Sequence, residues 1–222
     1  MATHQEIGGV SDQELRDRMV ARYGSRFDDE YWKFYKANVG RHLPTRPAVI
    51  DLGCGPGLFL RQLSERHRDA TLYGCDITPA MIEHARELTY AGAVPTLALQ
   101  DLTKDPLPQD SGAVDLVCIT ALLHLLDDPF AVVAEVRRVL RPGGFFLVDD
   151  WVRTPLSRYL ESRGPNRGEE QENYRRWLKM FPFHNKYTVD DWKWLLAEGG
   201  FSLVTTVQLR PHSQIFLATP RM

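Results

Sequence analysis

Apolar and polar positions change period several times along the 222-residue chain. Ser11 with Glu14 three residues on reads as a capping box. Leu15, Met19 and Tyr23 then recur at i, i+4 and i+8, which predicts a helix with one apolar face. A second helix is predicted after Asp28 or Asp29, with Tyr31, Tyr35 and Val39 sharing a face. Residues 1–10 lack any such pattern and are expected to be disordered. From residue 48 the period alternates. AVIDLGC is a strand without polar alternation, as expected when both faces are buried, and GLFLRQLSERH is an amphipathic helix. TLYGCDI is a second strand, and Thr78-Pro79 opens a helix that Gly92 is expected to end. PTLALQDL and AVDLVCITA are further strands. PFAVVAEVRRVL is a helix stopped by Arg141-Pro142-Gly143-Gly144, and FFLVDDW is a fifth strand. This alternation implies a parallel sheet with helices on both faces.

Residues 152–187 break the rhythm. The segment holds eight Arg or Lys against four Glu, and it is rich in Tyr, Trp and Phe. It is too long for an ordinary strand–helix loop, so it reads as an insertion with some helix of its own. A helix then starts at Thr188 and ends at Gly199-Gly200. FSLVTTVQLR and SQIFLATP follow, separated only by Pro211-His212, a link that joins antiparallel strands.

Composition narrows the function classes. The formal charge of −2 argues against a dedicated nucleic-acid surface. No apolar run approaches the ~20 residues of a membrane helix. MATHQEIGGV is neither a secretory signal nor a myristoylation site. The odd trio Cys54, Cys75 and Cys118 contains no CxxC pair, which points to buried reduced thiols in a cytoplasmic protein and not to a zinc site.

Candidate chemistry begins at residues 49–57, VIDLGCGPG. In an open parallel sheet, ligands bind beyond the carboxyl ends of the strands, where the strand order reverses. Gly53, Gly55 and Gly57 let a ligand approach the backbone there and lead into a helix N-terminus. Dinucleotides prefer G-x-G-x-x-G/A, whereas the spacing here is G-x-G-x-G. Asp51 would repel a phosphate and suits a ligand with a positive amino group. Asp76, about 20 residues on at the end of the second strand, is placed to take two ribose hydroxyls. Asp101, after the third strand, either accepts a bond from an adenine amine or caps a turn.

VIDLGCGPG, LYGCDIT, LQDL, SGAVDLVCITALLHLLDD and RVLRPGGFFLVDDW together resemble the successive motifs of the class I S-adenosylmethionine-dependent methyltransferases. The resemblance spans residues 48–151 and returns at 188–219. It implies an α/β fold: a Rossmann-like, mostly parallel seven-stranded sheet with an antiparallel last strand and helices on both faces. It further implies one domain over 1–222, with a core of 44–151 and 188–222, an N-terminal helical lid of 11–43 and a substrate cap of 152–187. By the resemblance, Asp51, Gly53, Cys54, Gly55 and Gly57 line the methionine part of S-adenosylmethionine and Asp76 holds the ribose. Ile77 and Leu102 sandwich the adenine, with Met81, Gln100 and Asp101 near it, and Thr120 touches the cofactor. S-adenosylhomocysteine would be the product.

The acceptor is less legible, because one fold hosts many. His124 is a candidate general base or a loop tie. Asp150, beside Asp149 at the end of the fifth strand, is the second catalytic candidate; one of the two could bind a metal, a base-bearing substrate or a helix end. CITALLH carries no acid, so no catalytic metal is expected. The aromatic N-terminal hairpin is either core packing or a lid with Tyr23 and Trp32 over the cofactor. Arg153, Arg158, Arg175 and Arg176 would meet an anionic or aromatic small-molecule acceptor, or else form a solvated helix face. No nucleic-acid or membrane partner is expected, and the chain is expected to be a monomer or homodimer. The rival readings are an NAD(P)-dependent oxidoreductase and a non-catalytic S-adenosylmethionine-binding protein.

Overall fold

The computed structural model describes residues 3–92, 94–161 and 170–221. Among these, β1 (Ala48–Leu52), β2 (Thr71–Asp76), β3 (Thr96–Leu99), β4 (Val114–Thr120), β5 (Leu140–Trp151), β6 (Phe201–Arg210) and β7 (Ser213–Pro220) form one sheet. Its order is β3-β2-β1-β4-β5-β7-β6. β1 to β5 are parallel, and β7 runs antiparallel to both β5 and β6. β1 lies between β2 and β4, so the order reverses there and a crevice opens beyond the carboxyl ends of those strands.

The strands send alternate residues into two cores. Ile50, Leu52, Val117 and Ile119 face α6 (Pro129–Val139) and α9 (Val189–Glu198), where Val132, Val136 and Trp192 are buried. Val49, Leu116 and Cys118 face the other side. There α3 (Asp29–Asn38), α4 (Leu58–Arg66) and α5 (Pro79–Glu87) supply Tyr31, Tyr35, Phe59, Leu63 and Ile82. Two buried faces explain why the strand sequences lack polar alternation. All three cysteines are buried and free.

The structure departs from the pattern in four places. Residues His4–Gly8 form a short helix, α1, instead of a disordered end. Gly8 packs against Arg176 and Met180, a long-range contact that no local period signals. The helix opened by Thr78 ends at Glu87, not Gly92. Gly92 instead sits so close to Arg68 and Ser64 that a Cβ would meet the Arg68 Cα at 2.6 Å. β3 is only Thr96–Leu99, and its last link to β2 is the Gln100 N–H, which donates to the Asp76 carbonyl at 2.9 Å. β5 begins at Leu140 directly after α6, and its register against β4 slips between Val114 and Leu116. Gly143, at φ 74, lies in that slip.

Before the sheet, α2 (Asp12–Arg26) carries the expected Ser11–Glu14 capping box but buries none of its residues in the core. The insertion forms α7 (Leu156–Glu161) and α8 (Glu170–His184); Arg163 and Arg167 lie outside the described residues.

Candidate active site

β1 delivers Asp51 into the crevice and runs out into the glycine loop. Gly53, Gly55 and Gly57 stand at φ 69, 52 and 80, the left-handed region that an L side chain adopts only with strain. Gly57 is the N-cap residue of α4. Asp76 anchors this loop from the end of β2. Its Oδ2 accepts from the Gly55 N–H and its Oδ1 from the Thr78 N–H, both at 2.9 Å. Each oxygen keeps further acceptor capacity. Burial raises the carboxyl pKa of Asp76, against the lowering effect of those N–H groups.

Asp51 is 2% exposed. Burial first, and the nearby Asp76 charge second, push its carboxyl up to about 8. Among the described residues no hydrogen-bond donor reaches it. A buried carboxyl of this kind stays protonated until a cation arrives beside it.

A cavity of about 570 Å³ opens over this loop. Its floor is Asp51, Gly53, Cys54 and the Thr120–Leu122 turn. Ala121 in that turn is the sole non-glycine residue with positive φ among the described residues, at 52°; its N–H donates to the Asp149 carbonyl at 2.9 Å. The roof is α2, which lowers two parallel rows into the cavity: Leu15, Met19 and Tyr23, and beside them Arg18, Arg22 and Arg26. Met19 lies on the glycine loop, its Cε 2.8 Å from where a Gly55 Cβ would stand. The Tyr23 hydroxyl is buried without a hydrogen-bond partner, and burial raises its pKa. The far wall is Trp151, Arg176, Trp177 and His184, with Arg210 and His212 from the β6–β7 hairpin. Trp151 lies flat on the His184 ring at 4.0 Å and stacks with His212 at 4.5 Å.

Residues 50–148 match the family model of a methyltransferase domain. A solved S-adenosylmethionine-dependent methyltransferase from Aquifex aeolicus shares the fold, with a TM-score of 0.66 over 94% of this chain and 96% of that one, at 16% identity. Malonyl-[acyl-carrier protein] O-methyltransferase of Hahella chejuensis is 39% identical over 97 residues. Residues 50–148 thus resemble a methyltransferase domain on a shared fold, and the Hahella match is partial. That match covers 43% of this chain and only 33% of the relative, so the chain spans about a third of its length. A tRNA N(3)-methylcytidine methyltransferase of Schizosaccharomyces pombe is 22% identical over 224 residues, 90% of this chain and 88% of the relative.

Within this methyltransferase fold, the expected site residues fall into three groups. Asp51, Gly53, Cys54, Thr120 and Tyr23 line the cavity. Gly55 and Gly57 complete the loop beneath it. Asp76, Ile77, Met81 and Leu102 stand outside the cavity, on the β2–β3 side of the loop. Gln100 and Asp101 are also there, but with their polar groups engaged. The Gln100 amide accepts from the Tyr73 hydroxyl at 2.7 Å and donates to the Asp105 and Pro106 carbonyls. Asp101 accepts from the Thr103 hydroxyl at 2.6 Å and pairs with Lys104 at 2.9 Å. These partners pull its pKa down to about 2, and through them its carboxylate caps the turn.

The third group lies elsewhere. Trp32 faces away from the cavity: its ring stacks on Phe59 at 5.5 Å under the Arg66 guanidinium, and its Nε1 donates to the Phe27 carbonyl. His124 and Asp150 are buried as a pair and do not line the cavity. Arg153 donates to the Asn185 and Lys186 carbonyls and braces the insertion. Arg158 and Arg175 are exposed. Of the four expected arginines, only Arg176 reaches the cavity. Arg18, Arg22, Arg26 and Arg210 were not anticipated there. The one signal for the first three was their own i, i+4, i+8 spacing beside the apolar row. Among the described residues no group of three or more His, Cys, Asp or Glu is placed to hold a metal ion, and no helix is long and apolar enough to cross a membrane.

Proposed function

We propose that this protein transfers a methyl group from S-adenosylmethionine to a small-molecule acceptor held in the cavity under α2 and α8. The observation that carries this reading is the buried Asp51 carboxyl, without a hydrogen-bond donor among the described residues, beside a loop with no side chain at three positions. That pairing fits an α-amino group and a ligand pressed against backbone. In this reading Asp51 takes the methionyl amino group, and the Gly53–Gly57 backbone takes the rest of the methionine part. Asp76 takes the ribose hydroxyls, and Ile77, Met81 and Leu102 enclose the adenine, with Asp101 at its edge. Thr120 and Tyr23 border the reacting end. Bound there, the cofactor supplies an electrophilic methyl group on a sulfonium.

The donor is already activated, so the chain's task is chiefly to orient the partners and exclude water. α2 then acts as lid, with α3 packed into the core beneath it, and α8 forms part of the cap. The volume of about 570 Å³ between a roof and a far wall supports a small acceptor over a polynucleotide strand. The histidines on the cavity wall are His184 and His212, so those two are better placed than His124 to act on an acceptor.

Calorimetry with S-adenosylhomocysteine and with NADH tests the cofactor half. The expected result is saturable binding of the first and none of the second; the reverse would restore the oxidoreductase reading. A mass-spectrometric screen of small acceptors with methyl-labelled cofactor tests transfer. Cofactor binding without transfer to any of them would favour a binding protein.

A further inference from the structure

The cavity wall carries five arginines against one carboxylate, Asp51. Two of the five are already answered. Arg26 pairs with Asp149 at 3.1 Å, and Arg210 pairs with Asp28 at 3.1 Å. Arg18, Arg22 and Arg176 meet no carboxylate among the described residues. Arg18 Nη1 and Arg176 Nε are buried without a hydrogen-bond partner. A buried guanidinium N–H left unmet is costly, so such groups are retained where an anion completes them. Arg22 is exposed at the cavity rim, and the methionyl carboxylate of the cofactor accounts for at most one of the three.

Geometry selects the pair that remains. Arg22 comes from α2 and Arg176 from α8. Both guanidinium groups stand over the same indole, Trp177, at 5.6 and 5.3 Å from its centroid. Trp151, Phe27 and Tyr23 add flat apolar surface to the same cavity. Two forked cations beside stacked aromatic faces make a receptor for a planar molecule with a carboxylate or phosphate, whose oxygens match the guanidinium fork.

We infer that the acceptor is a small planar anion, its acidic group held by Arg22 and Arg176 beside Trp177. This rests on the methyltransferase reading of the same cavity and names its substrate class.

Trp177 and Trp151 report occupancy through their fluorescence. With S-adenosylhomocysteine saturating, benzoate and phenyl phosphate are titrated as the two acidic probes, with benzamide and benzylamine as neutral and cationic matches. The expected result is saturable quenching by at least one anion, with a Kd at least about tenfold below that of benzamide. The tighter of the two anions identifies the acidic group. Arg22→Gln and Arg176→Gln should each weaken the anion by about tenfold while leaving S-adenosylhomocysteine affinity unchanged. Equal binding of benzamide, tighter binding of benzylamine, or quenching by bulk tRNA but by neither anion would overturn the inference. The wild-type comparison stands even if a variant fails to fold. Anion binding without S-adenosylhomocysteine binding would defeat the methyltransferase reading and leave the anion site; the converse would defeat the anion site alone.

Discussion

His124 Nδ1 lies 2.6 Å from Asp150 Oδ1, with both residues excluded from solvent. The same oxygen accepts the Trp151 N–H at 2.7 Å. One buried carboxylate therefore ties the Leu123–Leu125 turn after β4 to the last residue of β5, whose indole is a wall of the cavity. On the proposed reading this pair positions the wall and takes no part in the chemistry.

Asp150→Ala should act first on stability. It leaves the imidazole and the Trp151 N–H without this acceptor inside the protein, at a cost of about 2–4 kcal/mol. Asp150→Asn keeps an acceptor and should cost less. Urea denaturation measures both. A variant with wild-type stability and no turnover would instead put this pair in the chemistry.

Asp51 should impose a pH signature. Its carboxyl is raised to about 8 in the folded state from 3.8, so the folded chain holds a proton that the unfolded chain releases. Stability then falls as pH rises from about 4 to about 8, the sign for an acid with a raised pKa. Asp51→Asn should melt higher than wild type near pH 8, with the gap closing toward pH 4. Every tenfold difference in proton affinity between the folded and unfolded chains contributes about 1.4 kcal/mol to that gap. Binding of an amine beside Asp51 should expel that proton. At pH 7, the calorimetric enthalpy of S-adenosylhomocysteine binding should then differ between phosphate and Tris buffers, and Asp51→Asn should abolish the difference.

Asp76→Ala removes the acceptor for both the Gly55 and Thr78 N–H groups and, on the proposed reading, for the ribose. S-adenosylhomocysteine affinity should drop by more than about tenfold, since a bond to a charged group contributes about 1.5–3 kcal/mol. Calorimetry on folded protein decides it; unchanged affinity would remove Asp76 from the cofactor site.

Gly57→Ala and Gly143→Ala separate strain from crowding. Both positions have positive φ, at 80° and 74°. A Cβ on Gly57 would meet the Ala85 Cβ at 2.6 Å, whereas nothing lies within 4 Å of one on Gly143. Gly143→Ala should cost about 1–2 kcal/mol, the left-handed penalty alone. Gly57→Ala should cost about 1–3 kcal/mol more for overpacking. Equal costs by denaturation would mean that α5 yields freely at Ala85.

The elements whose instructions are local were legible in the chain. The Ser11–Glu14 capping box, the uninterrupted apolar strands and the glycine loop between Asp51 and Leu58 each act within a few residues. They determined the alternating architecture, the place of the crevice and the acid at the end of β2. Tertiary structure decided which side chains meet over that crevice. The apolar row of α2 looks like a core face, yet it roofs a cavity, because α3 and α4 already fill the core beneath. The charge of residues 152–187 points to the insertion as the source of cationic contacts, but of its four candidate arginines Arg153 braces backbone, Arg158 and Arg175 face solvent, and Arg176 alone turns into the cavity. The meeting of Arg22 and Arg176 over Trp177 joins α2 and α8, helices separated by most of the sheet in sequence. Helical spacing states which residues share a face, but it cannot state what that face will meet, because the partner surface is supplied by a distant segment only when the chain folds.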